Sequence, residues 1–202
     1  MRLVRWSHSC VRLERDGAVL VVDPGIWSEP EALVGADAVL LTHEHHDHAD
    51  VERLRELTCP IYAPRGADLP DLEIRPGDPG ERFAVVGFDV EAVGGHHAAV
   101  LPGSPTCANV GYVVDDVYHP GDALALPPRA VDTVLVPMQA SWLKTAEGIQ
   151  FLRAVDAPRA VGIHDGQINA RAVRAISSWY DEATAGRYRY VEPGTTVPES
   201  RP

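Results

Sequence analysis

The sequence predicts a domain of the α+β class, in which strands are followed by a helix in each half of the chain. Short apolar runs of strand length recur along the chain, and they stop abruptly at Gly, Pro or Asp. A few other segments instead place apolar side chains at helical spacing. This order of strands and helices repeats coarsely, without a short internal repeat, and so predicts two halves of similar construction.

The first half begins with a predicted hairpin over residues 11–22. An Asp-Gly pair supplies the turn between its two apolar strands, and the Asp-Pro-Gly sequence at 23–25 ends the second strand. Residues 38–41 form a continuous apolar run, which is typical of a strand buried on both faces. Residues 51–57 follow at helical spacing, so the polar segment between them is predicted to be a strand-to-helix loop.

The remaining elements follow from the same signals. Two further hairpins are predicted, one around Gly87 and one around the Asp-Asp pair at 115–116, and the Pro-, Gly- and Asp-rich segment 65–81 is predicted to consist of turns. The predicted strands are 61–63, 83–86, 88–93, 110–114, 117–119, 131–136 and 160–163, and the predicted helices are 145–155 and 170–180. No segment resembles a linker. Residues 1–191 are therefore expected to form a single domain, and the polar segment 192–202 is expected to be a mobile tail.

Composition excludes several classes of protein. The 202 residues are 45% hydrophobic and 23% charged, which is ordinary for one globular domain. No apolar run is long enough to span a bilayer, and charge interrupts the first residues, so the expected location is the cytoplasm, with no membrane partner. A net charge of −11 without a basic cluster disfavours nucleic acid as a partner. The oligomeric state is left open.

The three cysteines, Cys10, Cys59 and Cys107, are widely separated. An odd number at such spacing does not indicate a disulfide framework, so buried thiols are expected. Cys107 falls in a loop that is expected to border the site described next, where contact with a metal or a substrate is the alternative.

The strongest chemical signal is the loop after residues 38–41, which contains His43-x-His45-x-Asp47-His48. Zinc favours imidazole nitrogen and carboxylate oxygen as ligands. On a tight loop His43 and His45 can face one way and Asp47 and His48 the other, an arrangement that suits two metal ions rather than one. Two ions about 3.5–4 Å apart would hold a shared water and lower its pKa to near neutrality. The alternative, an exposed polar loop, leaves such a density of ligand-type side chains unexplained.

This loop alone cannot complete two coordination shells, and later strand ends supply further candidates. They are His96 or His97 after Gly95, Asp122 after Gly121, and His164 after Ile163. Successive side chains of an extended segment face opposite ways, so one of the two adjacent histidines is expected to reach the metal, and the Gly-x-His spacing favours His97. For Asp122 the alternative is a turn residue, and for His164 it is a packed histidine.

These motifs resemble those of the metallo-β-lactamase-fold hydrolases along nearly the whole chain. The matching segments are Asp23-Pro24-Gly25, Thr42-His43-x-His45-x-Asp47-His48, Gly95-x-His97, His119-Pro120-Gly121-Asp122 and Ile163-His164-Asp165. Within that superfamily the chain resembles the branch that includes ascorbate-6-phosphate lactonase, because Ser7-His8-Ser9-Cys10 is similar to its Gly-His-Ser/Ala start. Ser7 departs from the usual glycine of that branch.

The resemblance implies the metallo-β-lactamase fold, a four-layer αββα sandwich with two sheets face to face and helices outside. It also implies a place for each ligand of two zinc ions: His43, His45 and His97 on one, Asp47, His48 and His164 on the other, and Asp122 on both. A hydroxide bridging the ions would attack an ester, lactone, amide or phosphodiester. Asp122, as the bridge, and Asp47, which would orient the nucleophile, are the expected catalytic residues.

The resemblance also bears on the metal and on the rival functions. Iron-binding relatives carry Glu at the position of His45, so zinc is expected, with manganese or iron as alternatives. The added helical domain of glyoxalase II and the RNA-binding arm of the superfamily's nucleases have no counterpart here, and a small-molecule substrate is expected. Two alternatives remain: cleavage of nucleic acid, and metal binding for structure or sensing without turnover.

Several nearby residues are expected to have lesser roles. Asp23 is expected to accept hydrogen bonds beneath the site and to orient ligands, and His119 to be structural. His8 is expected either to border the site or to be a packed histidine, and His46 either to line the pocket or to face solvent. Asp165 is expected to cap the following helix, with the orientation of a ligand as the alternative. Trp27, Met138, Gln139 and Trp142 lie on loops that wall a pocket or belong to the core.

Overall fold

In a computed structural model that describes residues 1–199, two seven-stranded sheets pack face to face. The first sheet contains β1 (Arg2–Arg5), β2 (Val11–Arg15), β3 (Ala18–Val22), β4 (Ala38–Leu40), β5 (Ile61–Pro64), β6 (Ile74–Gly77) and β14 (Thr195–Thr196). The second contains β7 (Arg82–Val85), β8 (Phe88–His96), β9 (Ala108–Val114), β10 (Val117–His119), β11 (Thr133–Pro137), β12 (Arg159–Ile163) and β13 (Tyr188–Arg189). The strand orders are β14-β1-β2-β3-β4-β5-β6 and β13-β12-β11-β10-β9-β8-β7.

Helices cover the outer face of each sheet. They are α1 (Val51–Leu54) and a 3₁₀ turn (Pro30–Leu33) in the first half of the chain, and α2 (Thr145–Val155) and α3 (Ala170–Ala183) in the second. Among the described residues, no helix is both long and apolar enough to cross a membrane.

Three layers of buried side chains hold these elements together. Between the sheets lie Leu20, Leu40, Phe88, Tyr112 and Leu135, all without exposed surface. Outside the first sheet, Val21 and Leu41 pack with Leu54 of α1, and outside the second sheet Val136 packs with Phe151 of α2 and Tyr180 of α3. Full burial of each such Leu or Phe stabilises the fold by about 1.5–3 kcal/mol. This order of helix, sheet, sheet and helix confirms the expected αββα sandwich.

The continuous apolar runs of β3 and β4 follow from this layering. Leu20 and Val22 face the layer between the sheets, whereas Val21 between them faces the outer layer. A strand that is covered on both faces has no solvent side, so alternation with polar residues is lost. In β4, Leu40 likewise faces the layer between the sheets and Val39 the outer layer, which confirms the prediction for residues 38–41.

Strand direction brings the chemical residues to one edge of the sandwich. β1 and β2, and β2 and β3, are antiparallel, and β4 is parallel to β3, so β1, β3 and β4 end at the same edge of the first sheet. By the same reasoning β8, β10, β11 and β12 end at one edge of the second sheet. The candidate ligands lie shortly after these strand ends: the histidine loop follows β4, and His97, Asp122 and His164 follow β8, β10 and β12.

Some predicted elements differ in the structure. Segment 65–81, predicted to consist of turns, contains β6, whose Pro76 is tolerated because β6 is an edge strand. The predicted helix 51–57 is α-helical only as far as Leu54, after which the N–H of Leu57 donates to the C=O of Leu54 at 3.1 Å in a tighter turn. β8 does not break at its two glycines but continues to His96, with Gly94 at φ +90°.

The C-terminal segment contributes the last strand of the first sheet. Thr195–Thr196 pair with β1, and the N–H of Val197 donates to the C=O of Leu3 at 2.8 Å. Val197 is buried against the layer between the sheets. Residues 195–197 thus lie against the first sheet, residues 200–202 lie outside the described residues, and the mobile tail expected for 192–202 stays a prediction.

Candidate metal centre

The loop after β4 is held closely against the end of β3. The N–H of Ile26 donates to the C=O of His46 at 2.9 Å, and that of Asp50 to the C=O of Pro24 at 3.1 Å. A Cβ on Gly25 would lie 1.9 Å from the carbonyl oxygen of Asp47. Glycine is thus required at position 25 because the backbone of the loop passes through the space that a side chain would fill.

Asp23 lies beneath this loop and accepts hydrogen bonds from two of its residues. Its carboxylate is fully buried and accepts hydrogen bonds from the N–H of Thr42 at 2.7 Å and the hydroxyl of Thr42 at 2.6 Å. It also accepts from Nδ1 of His48 at 2.7 Å. With Nδ1 acting as the donor, Nε2 of His48 is directed into the site.

Asp122 lies at the centre of the cluster, just beyond the end of β10. Its Oδ1 is 3.2 Å from Nε2 of His48, and its Oδ2 is 3.1 Å from Nε2 of His164 and 3.4 Å from Nε2 of His97. Burial alone raises the pKa of Asp122, but the neighbouring histidines, His48 above all, lower it well below its usual value. Burial likewise lowers the pKa of His48, yet the Asp122 and Asp23 carboxylates raise it well above its ordinary value.

The other candidate ligands surround this carboxylate. Nε2 of His43 lies 3.1 Å from Nδ1 of His45. Nδ1 of His97 donates to the C=O of Ala98 at 2.7 Å, and Nδ1 of His164 donates to the C=O of Gln139, so the Nε2 atoms of both rings face the site. Three overlapping groups, whose ligand atoms lie within 4.8 Å of one another, are His43, His45 and His97; His43, His48 and Asp122; and His8, Asp47, His48 and His164.

The structure therefore brings together all seven residues that were expected to bind metal. His97 turns toward Asp122, whereas His96 is exposed at the end of β8, so the choice between these two histidines falls on His97. His46 faces solvent, with its ring centroid 6.1 Å from that of Trp27.

The buried polar atoms of the cluster fit a bound cation. Within residues 1–199, Nε2 of His48, Nε2 of His164 and Oδ1 of Asp122 are buried, and their approaches of 3.2 Å and 3.1 Å within the cluster do not have the angles of hydrogen bonds. Leaving such an atom unsatisfied costs about 1–3 kcal/mol, and a metal ion would satisfy all three at once. Imidazoles together with carboxylates are typical of zinc and of other transition metals, whereas magnesium and calcium favour oxygen ligands alone.

Two other residues lie close to the cluster, and the sequence named both without indicating which ligand each would contact. The indole Nε1 of Trp142 donates to Oδ2 of Asp122 at 3.0 Å, and Sγ of Cys107 lies 3.8 Å from Nε2 of His45. Burial raises the pKa of the Cys107 thiol to about 11. Cys107 thus borders the site, as expected, while all three cysteines are free thiols.

His8 and His119 have different surroundings. His8 is buried, its Nε2 lies 3.1 Å from Oδ2 of Asp47, and burial lowers its pKa to about 4. It therefore borders the site. Nε2 of His119 donates to the C=O of Ser9 at 2.8 Å while its Nδ1 accepts from the N–H of Gly121 at 3.1 Å, which is the structural role that was expected.

The expectation that Asp165 caps the following helix is wrong. Asn169 caps α3, because its side chain accepts from the N–H of Arg171 at 3.0 Å and from that of Ala172 at 3.2 Å. Asp165 instead forms an ion pair with Arg5, which is fully buried at the end of β1, and accepts from the hydroxyl of Tyr190 at 2.7 Å.

Known proteins resemble this chain over most of its length. The profile of the beta-lactamase superfamily domain matches residues 3–164. Protein Rv0786c of Mycobacterium tuberculosis is 37% identical over 177 residues, which cover 81% of this chain and 84% of that protein. UPF0173 metal-dependent hydrolase TV0864 of Thermoplasma volcanium is 24% identical over 191 residues, covering 81% and 83%. Igni18, a metallo hydrolase of Ignicoccus hospitalis, superposes with a TM-score of 0.75 at 19% identity over 97% of both chains. This chain belongs to the metallo-β-lactamase superfamily, within which it is a metal-dependent hydrolase.

Proposed function

We propose that the chain hydrolyses a small molecule with two zinc ions. The first would be held by His43, His45 and His97, the second by Asp47, His48 and His164, and Asp122 would reach both. The observation that carries the proposal is the position of the Asp122 carboxylate, which three imidazoles approach within 3.4 Å at angles that leave its Oδ1 without a hydrogen bond in residues 1–199.

Two zinc ions at such a site polarise the oxygen of a carbonyl or phosphoryl group and lower the pKa of water, so that a nucleophile is available near neutral pH. The chain itself supplies Asp47 for the handling of the proton. Burial raises the pKa of Asp47, but the hydrogen bond from His8 and the nearby His48 and His164 lower it overall, so this carboxylate is ionised at neutral pH. An ionised Asp47 can accept a hydrogen bond from an attacking water and orient it.

The surroundings of the cluster favour a substrate with an apolar part. A groove of about 490 Å³ is lined mainly by apolar side chains, including Leu124, Leu126, Trp142 and Phe151. Its wall includes Trp142, whose indole also donates to Asp122, so the groove lies next to the proposed reaction centre. We propose that it receives the acyl or aryl group of an ester, lactone or amide. A phosphodiester remains the second substrate class for the same site.

Elemental analysis tests the proposal directly. Protein loaded with zinc and freed of excess metal is expected to hold close to two ions per chain. A content near one ion would remove the second site, and a folded protein that takes up no zinc would overturn the proposal.

Turnover separates the rival functions. The zinc-loaded protein is expected to hydrolyse at least one member of a panel of chromogenic esters, lactones, amides and phosphodiesters, and to lose that activity after chelation. Cleavage of single- or double-stranded DNA or RNA in place of these substrates would identify a nuclease. Two bound ions with no hydrolysis of any substrate would indicate metal binding without turnover.

A further inference from the structure

His8 presents a choice between two roles. It follows the end of β1, is fully buried, and takes a left-handed backbone conformation at φ +61°. Its ring lies 4.0 Å from that of His164 and 4.7 Å from that of Trp27, measured between centroids, and the Trp27 contact is edge to face. Because its ligand atom groups with those of Asp47, His48 and His164 within 4.8 Å, proximity alone would make His8 a further ligand of the second metal ion.

The protonation of its ring decides against that role. The backbone N–H of Gly166 points at Nδ1 of His8, at a distance of 3.1 Å. A backbone N–H can only donate, so Nδ1 must be the acceptor, and a neutral imidazole then carries its proton on Nε2. That Nε2 lies 3.1 Å from Oδ2 of Asp47, within hydrogen-bond distance. A nitrogen that bears a proton has no lone pair to offer a metal.

We propose that His8 is a positioning residue and not a ligand: as the Nε2–H tautomer, it donates to Asp47 and holds this carboxylate in place for the second metal ion. The inference rests on the proposed two-metal function. It also has a consequence for the reaction, since a coordination position that His8 does not occupy is left open to substrate or water.

The packing around His8 is consistent with a fixed tautomer. A Cβ on Gly166 would lie 2.9 Å from Nδ1 of His8 and 2.8 Å from Cε3 of Trp27, so only glycine allows this approach of the backbone to the ring. The backbone of His8 is also held, because its N–H donates to Oδ1 of Asp165 at 3.0 Å and its C=O accepts from the N–H of His164 at 2.9 Å. The ring position is thus fixed by the close approach of Gly166 and by the hydrogen bonds of the His8 backbone.

The tautomer of His8 can be measured by ¹⁵N NMR on protein labelled at histidine. His8→Gln identifies the His8 signals by their loss. In the zinc-loaded wild type we expect Nδ1 of His8 to be unprotonated and Nε2 to carry the proton. A protonated Nδ1, with Nε2 shifted by a bound metal, would overturn the proposal. The same measurement on metal-free protein tests the tautomer even if the wild type binds no zinc, an outcome that would overturn the proposed function instead.

Two variants test the hydrogen bond itself. The amide of His8→Gln offers an oxygen to Gly166 and an N–H to Asp47, whereas His8→Ala offers neither. We expect His8→Ala to weaken binding of the second zinc ion by about 10–100-fold, as for other residues that orient a ligand, and His8→Gln to restore most of the affinity. Loss of one ion per chain in both variants would mean that His8 is a ligand, and unchanged affinity in His8→Ala would mean that it positions nothing. Thermal unfolding of both variants shows whether either result reflects a damaged fold.

Discussion

Asp23 Oδ2 accepts a hydrogen bond from Nδ1 of His48 at 2.7 Å, and neither side chain is exposed to solvent. The same carboxylate accepts two hydrogen bonds from Thr42, so one buried group fixes both the start and the end of the histidine loop. Its backbone is in the left-handed region at φ +51°, which Asp and Asn tolerate better than most residues.

Asp23→Asn is therefore expected to keep the fold but to weaken the metal site. Asn tolerates the same backbone conformation. The carboxylate, however, accepts through both oxygens, Oδ1 from the N–H of Thr42 and Oδ2 from the Thr42 hydroxyl and from His48, whereas an amide has only one oxygen and must lose at least one of these bonds. Loss of such an orienting partner typically lowers metal affinity about 10–100-fold. Competition with a chelating dye measures the affinity, and circular dichroism reports on the fold. An affinity equal to that of the wild type would show that His48 does not depend on Asp23.

Asp122→Asn is expected to abolish most activity and to lower the zinc content, because it removes the negative charge that His48, His97 and His164 face. Asp116→Asn is the matched control, since it makes the same change of charge at an exposed side chain that pairs with Arg129. Full activity in Asp122→Asn would remove this residue from the site.

Trp142→Phe is expected to slow turnover and to lower the free energy of unfolding. It deletes the donor that lies 3.0 Å from Oδ2 of Asp122 and keeps an aromatic ring in the groove. A hydrogen bond to a charged group contributes about 1.5–3 kcal/mol to folding, so the free energy of unfolding should fall by up to that amount, and kcat should fall because Asp122 is held less firmly. Trp179→Phe, at an exposed indole on α3, is the control and should behave as the wild type.

Gly25→Ala is expected to destabilise the protein and disturb the site at once. The new Cβ would meet the Asp47 carbonyl at 1.9 Å, so the histidine loop must move. Overpacking of this kind costs about 1–3 kcal/mol, measured by chemical unfolding. Gly77→Ala is the control, because its Cβ would find its nearest neighbour at 3.7 Å. Equal stability of the two variants would contradict the close packing of Gly25.

Removal of metal is expected to lower the unfolding temperature. A ligand present at 100 times its Kd stabilises the folded state by about 2.7 kcal/mol. For a domain of this size 1 kcal/mol corresponds to about 2–4 °C, so chelation should lower Tm by roughly 5–10 °C. Differential scanning calorimetry with and without chelator measures the shift, which zinc should reverse and magnesium should not.

The candidate ligands carry stronger local signals in the sequence than some of the elements around them. His43 to His48 form a local pattern, and Asp122 and His164 each follow an apolar run that ends at them, so short windows are enough to find them. β1 was missed because it is short and its Arg5 is charged, although that side chain is fully buried. A buried Arg can be recognised only through its partner, and the partner of Arg5 is Asp165, which lies far away in the sequence.

The contacts that orient the candidate ligands are equally distant in sequence. Gly166 reaches His8 across 158 positions, and Trp142 reaches Asp122 across 20. No period or motif connects such residues. The sequence also led to a wrong role for Asp165, since an acidic residue shortly before a helix resembles a cap until its actual partner is known.

The candidate ligands come from both sheets: the histidine loop follows β4 of the first, whereas His97, Asp122 and His164 follow strands of the second. Between residues 77 and 82 the chain leaves one sheet for the other, so a cut there would give two pieces that each carry an incomplete coordination sphere. Zinc bound by residues of both pieces would then promote their association, so the zinc concentration would determine the fraction of the two pieces that reassembles.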